Sequence, residues 1–377
     1  MAKKEYVFNK IILVGNGFDL ALGLKTSYQD FLFWYLKKLL NESALSDLQE
    51  TVFRQGTKHH IHKNDLVDVY CNKNYNKDGL SEFIEKKDSL QKLMEYIRQE
   101  VHFSFDFKSN LFNEIIQSSI TNWVDIEAIY YKLLTDNLKQ EDTIEKLNKD
   151  FSFIKNLLEE YLSSLKTPSF EDIKESTLFS EQLFDGLRQE EVIELNSEDS
   201  IGRKDIHFIN FNYTNTLENL LESVSHRYTS KIKYTINHIH GKLNSKEEKI
   251  IFGYGDEMDK HYNNIQDLNN NLYLQNIKSF QYFRSPNYRS LLRFVNSNEY
   301  QVCIYGHSCG LSDRVMLNEI FENENCKSIK VYYHKDENDF TNRTMEISRH
   351  FKDNNSMRKK IVNFNSDDII PQIKDLL

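Results

Sequence analysis

The residues of this chain best equipped for chemistry stand where short apolar runs end in glycine-rich polar turns. Ile11–Val14 empties into GNGFDL, Gly15–Leu20, and then into a short helical stretch that Gly23 ends as a C′ residue. A strand, a Gly-x-Gly turn and a helix start bring backbone amides and the helix dipole to one point, which is how a pyrophosphate is held. Gly15, Asn16 and Gly17 are therefore candidate ligand contacts, and Asp19 adds an acid in the first helical turn. Paired glycines also serve tight turns for steric reasons alone. The turn departs from the dehydrogenase fingerprint: Leu20 replaces its third glycine, and the ribose-binding acid about 20 residues further on is missing. Hydride transfer is disfavoured.

A second polar strand end is FINFNYTNTLENLL, Phe208–Leu221. Asn210 and Asn212 share one face of an extended segment, and Asn212 is the chosen ligand contact. Thr214 or Asn215 is expected to cap the following helix, with Glu218 supporting its first turn. In NHIHGKL, Asn237–Leu243, His240 ends a strand and Gly241 permits a turn with close backbone approach. A lone histidine is more often structural than catalytic, but the neighbouring polar strand ends favour the catalytic role. IIFGYGDE (Ile250–Glu257) and VCIYGHSCGLSD (Val302–Asp313) also empty into glycine-rich turns, adding Gly253, Gly306, His307 and Ser308 as candidate contacts. Asn212 and His240 are both expected at exposed strand ends. A sheet built for stability alone has no need of this concentration of polar ends.

Such turns require a sheet whose strands finish together. Strands are expected at Val7–Val14, His207–Phe211, Lys233–Ile239, Ile250–Phe252, Tyr300–Tyr305, Ile329–Tyr333 and Ile361–Phe364. Between the first and the others the chain reads as helical. Ile154, Leu157, Leu158, Tyr161, Leu162 and Leu165 form one apolar stripe that Pro168 terminates. The expected fold class is α/β, a Rossmann-like parallel sheet with a large helical insertion after the first strand–helix unit. Residues 1–45 and 200–377 would form the nucleotide-binding domain and 46–199 the insertion. Thr26 and Gln29 are expected as a capping box for the second helix. Thr57–Gly79 is polar and aperiodic and reads as a surface loop, with His59, His60 and His62 solvated.

Composition narrows the function classes. Hydrophobic residues make up 39% and charged residues 28% of the chain, the balance of a globular protein with a substantial core. The formal net charge of −9 opposes a nucleic-acid partner, whereas backbone amides can hold a small anion regardless of overall charge. No apolar run suits a bilayer span or a leader peptide, so no membrane association is expected and the expected compartment is the cytoplasm. Cys71, Cys303, Cys309 and Cys326 offer neither a disulfide framework nor a CxxC pair. Reduced thiols and no metal site are expected.

GNGFDLALGLKTSYQDF, NWVDIEAIY from Asn122, FNYTNTLE and YGHSCGLSD follow in order over nearly the whole chain. Together they resemble the bacterial phage abortive-infection AbiH family. More distantly, the chain is similar to the sirtuin-type NAD-binding fold: GNGFD stands at its G-A-G-x-S, FNYTNTLE at T-x-N-x-D and IHG at the catalytic H-G. FGYGDE looks like its F-G-E turn and GHS like its G-[ST]-S turn. The resemblance implies Gly15 and Gly17 at the pyrophosphate, Asn212 at the nicotinamide ribose or the attacking water, and His240 as the base. Gly306 and Ser308 would lie on the adenosine side.

The sequence departs from that pattern where Asn210 and Thr214 replace the Thr and Asp of T-x-N-x-D and Asp19 replaces a small hydroxyl residue. The paired cysteines of a zinc ribbon are also missing, which weakens the case for peptide deacylation. The implied activity is antiphage NAD hydrolysis, with NAD as substrate and no metal, and it is compatible with a phage-derived trigger and a homo-oligomer. Two other functions stay open. One is a sensor that binds NAD or ADP-ribose without turnover. The other is a toxin acting through protein or nucleic-acid contacts, for which FQYFRSPNYRSLLRF offers Arg284, Arg289 and Arg293.

Overall fold

The computed structural model describes residues 5–45, 49–53, 56–72, 87–99, 103–121, 125–167, 170, 175–196, 198–224, 233–255 and 257–373. These contain β1 (Glu5–Val14), β2 (Gln49–Phe53), β3 (Gly56–Lys63), β4 (Val67–Asn72), β5 (Phe103–Phe107), β6 (Ser200–Asn210), β7 (Lys233–His238), β8 (Tyr300–Tyr305) and β9 (Cys326–Tyr332). The chain divides into two compact units, one of Met1–Leu24, Leu165–Asn264 and Asn276–Leu377, the other of Lys25–Ser164 and Ile265–Gln275.

The first unit holds a five-stranded sheet in the order β7-β6-β1-β8-β9, parallel throughout. The chain moves outward from β1 through β6 to β7, then crosses to the other side of β1 for β8 and β9. The order reverses between β1 and β8, and open α/β sheets bind ligands outside the carboxyl ends of the strands at such a reversal. Register sets Val14 beside Asn210 and Tyr305, and Asn210 beside His238, so four strands end level.

Both faces of this sheet are covered. Alternation along β1 sends Ile11 and Leu13 to one face and Ile12 and Val14 to the other, all fully buried. The first pair meets Leu291 and Val295 of the helix Asn287–Val295 and Leu317 and Phe321 of the helix Arg314–Glu322. The second pair meets Phe18 of α1 (Asn16–Ala21), Phe179 of the helix Glu175–Leu183 and Leu220 of the helix Thr216–Ser223. Two covered faces require unbroken apolar strands, and YQVCIY in β8 is buried throughout. Chemistry is left to the strand ends.

Two expected strands are not strands. Ile250, Ile251 and Phe252 are buried without joining a sheet, and Ile361 makes a single bridge to Ile329. Ile250–Phe252 is apolar because it packs in the core. Of Ile361–Phe364 only Ile361 packs against the core, while Phe364 is exposed; periodicity cannot tell such packing from pairing.

The second unit holds the expected helices, but also an antiparallel sheet, β2-β3-β4-β5, that was not expected. The proposed loop Thr57–Gly79 supplies most of β3 and all of β4, with residues 73–79 outside the described residues. His59 pairs with Cys71 and His60 with Tyr70 along that ladder. An antiparallel ladder needs backbone pairing rather than an apolar run, so a polar stretch can join one without a hydrophobic signature. This unit overlaps the 46–199 insertion, also takes in α2 (Tyr28–Leu45), and leaves residues 165–199 with the parallel sheet.

The α2 cap sits one residue later than expected. Ser27 Oγ accepts the Asp30 amide at 3.1 Å and Asp30 Oδ2 accepts the Ser27 amide at 3.3 Å, while Gln29 donates to the Ser119 carbonyl. The helix Glu141–Ser164 buries Ile154, Leu158, Tyr161 and Leu162 of the predicted stripe. Pro168 lies outside the described residues.

Candidate functional site

The turns after β1 and β8 close on each other backbone to backbone. Gly17 N donates to the Gly306 carbonyl at 2.8 Å and Gly15 N to the Tyr305 carbonyl at 3.2 Å. A Cβ on Gly15 would stand 2.5 Å from His307 Cα, and one on Gly306, at φ +73°, would stand 2.3 Å from the Phe18 nitrogen. Turn-on-turn packing therefore dictates glycine here, and the amides of Gly15, Gly17 and Phe18 are satisfied within the protein. Asn16 is half-buried beside them and Ser308 is exposed. Gly23, at φ +86°, ends α1 as expected: Leu24 N donates to the Asp19 carbonyl and Gly23 N to the Leu20 carbonyl.

The polar end of β6 is folded onto this turn. Asn212 Nδ2 donates to the Gly15 carbonyl at 3.1 Å, and Asn210 Oδ1 accepts the Asn212 amide at 3.0 Å. Thr214 Oγ1 donates to Asp19 Oδ2 at 2.6 Å and accepts from Thr216 Oγ1 at 3.0 Å. Asp19 Oδ1 and Asn210 Nδ2, one acceptor and one donor, are sealed from solvent with no partner among the described residues. Burial pushes the Asp19 carboxyl up to about 7, against the hydrogen bond of Thr214 and the nearby Thr216 hydroxyl and Asn212 amide, and the Glu218 charge adds to the rise.

The expected cap therefore works differently. Asn215 occupies the N-cap position without a side-chain bond, and Thr214 serves Asp19 instead. Glu218 Oε1 contacts His238 Nε2 at 2.6 Å and accepts from Lys242 Nζ at 2.8 Å. Burial alone would raise Glu218, but its bonds to His238 and Lys242 hold it near 2.

A third group is centred on Asp313. His240 Nε2 lies 3.0 Å from Asp313 Oδ1, and Lys278 Nζ donates to the same oxygen at 2.8 Å. Tyr282 Oη is 3.3 Å from His240 Nε2, and His307 Nε2 is 3.8 Å from Asp313 Oδ2. Lys278 is 0% exposed, and Asn212 and His240, expected at exposed ends, are 7% and 6% exposed. Burial by itself would raise the Asp313 carboxyl, but the Lys278 charge and the His240 hydrogen bond hold it far below the usual carboxylate range. Burial and the Lys278 charge push His240 down against the pull of Asp313. Burial takes His307 down to about 3, with Asp313 opposing, so both imidazoles are neutral at physiological pH. The Phe211 ring lies 5.1 Å from that of His240 and 3.9 Å from that of His307.

Gly253 supports this group from behind. Tyr254 N donates to the Asn276 carbonyl, Lys278 N to the Tyr254 carbonyl and Gly255 N to the Ser312 carbonyl. One turn thus ties the segment carrying Lys278 to the segment carrying Asp313. A Cβ on Gly253 would stand 2.1 Å from the Asn276 oxygen, so close backbone approach explains the glycine.

The fold thus brings Gly15, Gly17, Asp19, Asn210, Asn212 and Gly306 into one cluster and His240 and His307 around Asp313. A family model described as bacteriophage abortive infection AbiH matches residues 11–335. The chain belongs to the AbiH family. No curated protein matches it. Membership points to a role in phage abortive infection, and both side-chain groups of this AbiH chain fall within the matched span.

Two members of the site escaped sequence reasoning. Asp313 ends the GLSD stretch of a turn already singled out, but Lys278 carries no sequence mark at all. Arg284, Arg289 and Arg293 are exposed on or beside the helix Asn287–Val295, whose Leu291 and Val295 face the core. Among the described residues no helix is long and apolar enough to cross a membrane.

Proposed function

We propose that this AbiH protein is an abortive-infection effector that hydrolyses NAD to nicotinamide and ADP-ribose. The observation that carries the proposal is that Asp19, Asn210, Asn212 and His240 all stand at or just after the carboxyl ends of strands of one parallel sheet, β1, β6 and β7, with an unpartnered acceptor on Asp19 and an unpartnered donor on Asn210 buried there. The resemblance to sirtuin-type sites supplies the substrate class. Breaking the N-glycosidic bond releases nicotinamide as a neutral molecule and leaves an oxocarbenium-like ribose. Asp19, once ionised, would offset that positive charge, Asn212 would orient the incoming water, and neutral His240 would accept the water's proton as oxygen bonds to the anomeric carbon.

The deciding experiment incubates purified protein with NAD and follows nicotinamide release, with Asn212→Ala and His240→Ala as controls. Turnover that both substitutions abolish supports hydrolysis. Tight NAD binding without nicotinamide release would replace it with a sensor.

A further inference from the structure

We infer that Asp313, neutralised by buried Lys278, is a positioning residue that fixes His240 in the tautomer protonated at Nε2, making Nδ1 the nitrogen that takes a proton during turnover. The turnover part rests on the proposed hydrolysis, but the tautomer does not. A carboxylate has no hydrogen to give, so its 3.0 Å contact with His240 Nε2 is a hydrogen bond only when that nitrogen carries the proton. The Tyr282 hydroxyl, 3.3 Å from the same nitrogen, can accept as readily as donate and so does not contest the assignment. A doubly protonated ring would put a second cation beside Lys278 in a water-poor site, which burial and Lys278 both oppose. His240 Nδ1 has no partner among the described residues, yet it is not one of the sealed polar atoms. It is the nitrogen left for a water or a ribose hydroxyl.

Lys278 completes the device. A lone carboxylate at this depth would take up a proton and lose its hold on the ring, whereas the ammonium 2.8 Å away keeps it anionic. The second Asp313 oxygen faces His307, whose Nδ1 already accepts the Cys309 amide at 3.0 Å. His307 therefore also carries its proton on Nε2, and one carboxylate faces two imidazoles of the same tautomer. Buried carboxylate partners of this kind set ring orientation and basicity in other histidine sites.

Nitrogen-15 NMR of the full chain, labelled at histidine, reads the tautomer, with His240 assigned by the resonances lost in His240→Gln. Wild type is expected to show Nε2–H at neutral pH. Lys278→Met/Asp313→Ala removes both charges together, so neither is stranded, and should give a mixture of tautomers. In the same variant kcat for NAD should fall by roughly 10²-fold with KM little changed. A wild-type ring protonated at Nδ1, or a folded double variant with unaltered tautomer, overturns the inference. The wild-type spectrum decides even if the variant does not fold. A wild type that releases no nicotinamide refutes the hydrolysis alone.

Discussion

At the scale of single residues, the chemistry depends on how far burial moves each charge. Asp19 is the sharpest case, with a folded pKa of about 7 against an ordinary 3.8. Its folded value lies above its unfolded one, so its stabilising contribution is complete below about pH 4 and is lost as pH rises towards 7 and beyond. The difference of about three units corresponds to at most about 4 kcal/mol. Thermal denaturation of wild type should therefore lose stability from pH 5 to pH 8, whereas Asp19→Asn should show a flatter profile. A parallel decline in both proteins would show that another group is responsible. NAD turnover should rise across the same interval, because only ionised Asp19 can offset a developing cation, and Asp19→Asn should abolish that rise.

Asn212→Ala and His240→Ala should each reduce kcat by roughly 10²–10⁴. The two act on one water and one ribose, so the double variant should be little slower than the slower single variant. Burial adds a cost that exposed residues would not incur. Asn212→Ala gives up the bond to the Gly15 carbonyl, on the order of 1 kcal/mol, so melting curves must accompany the kinetics. Additive rate losses in folded proteins would show that the side chains work in separate steps.

At the scale of elements, the two turns at the order reversal act as one structural unit. Gly306 combines a left-handed backbone with a Cβ position 2.3 Å from the Phe18 nitrogen. Gly306→Ala should cost more than about 3 kcal/mol, the left-handed penalty of about 1–2 plus a clash between backbones. Gly186→Ala is the matched control, because nothing lies within 4 Å of its Cβ position. Chemical denaturation of the two variants should separate them clearly, and equal midpoints would mean that the turns can part without strain.

At the scale of the whole molecule, the parallel sheet seals its thiols. Cys303, Cys309 and Cys326 are buried, and burial pushes Cys309 and Cys326 up to about 12 and also raises Cys303. Thiolate is the reactive form, so labelling of all three by iodoacetamide should follow unfolding rather than proceed in the native state. Mass mapping across a urea series should give their labelling midpoints at the unfolding midpoint. Rapid native labelling of Cys309 would mean that the turn carrying His307 opens locally. The side chain of Cys71 lies outside the described residues.

The sequence by itself determined the α/β class, the strand β8 to the residue, the Gly23 helix end, and the polar strand ends carrying Asn212 and His240. These depend on local rules: apolar runs for strands covered on both faces, and glycine where backbone turns or approaches closely. Tertiary structure decided the rest. Asp313 reaches His240 across 73 residues and Lys278 across 35, and no local pattern records a charge pair assembled over such distances. The Asp19 shift likewise arises from atoms packed around it by β6 and the turn after it, because desolvation depends on what surrounds a group in space. The β3–β4 ladder remained hidden for a related reason: its pairing is written in backbone hydrogen bonds between segments, and those leave no hydrophobic period in a polar sequence.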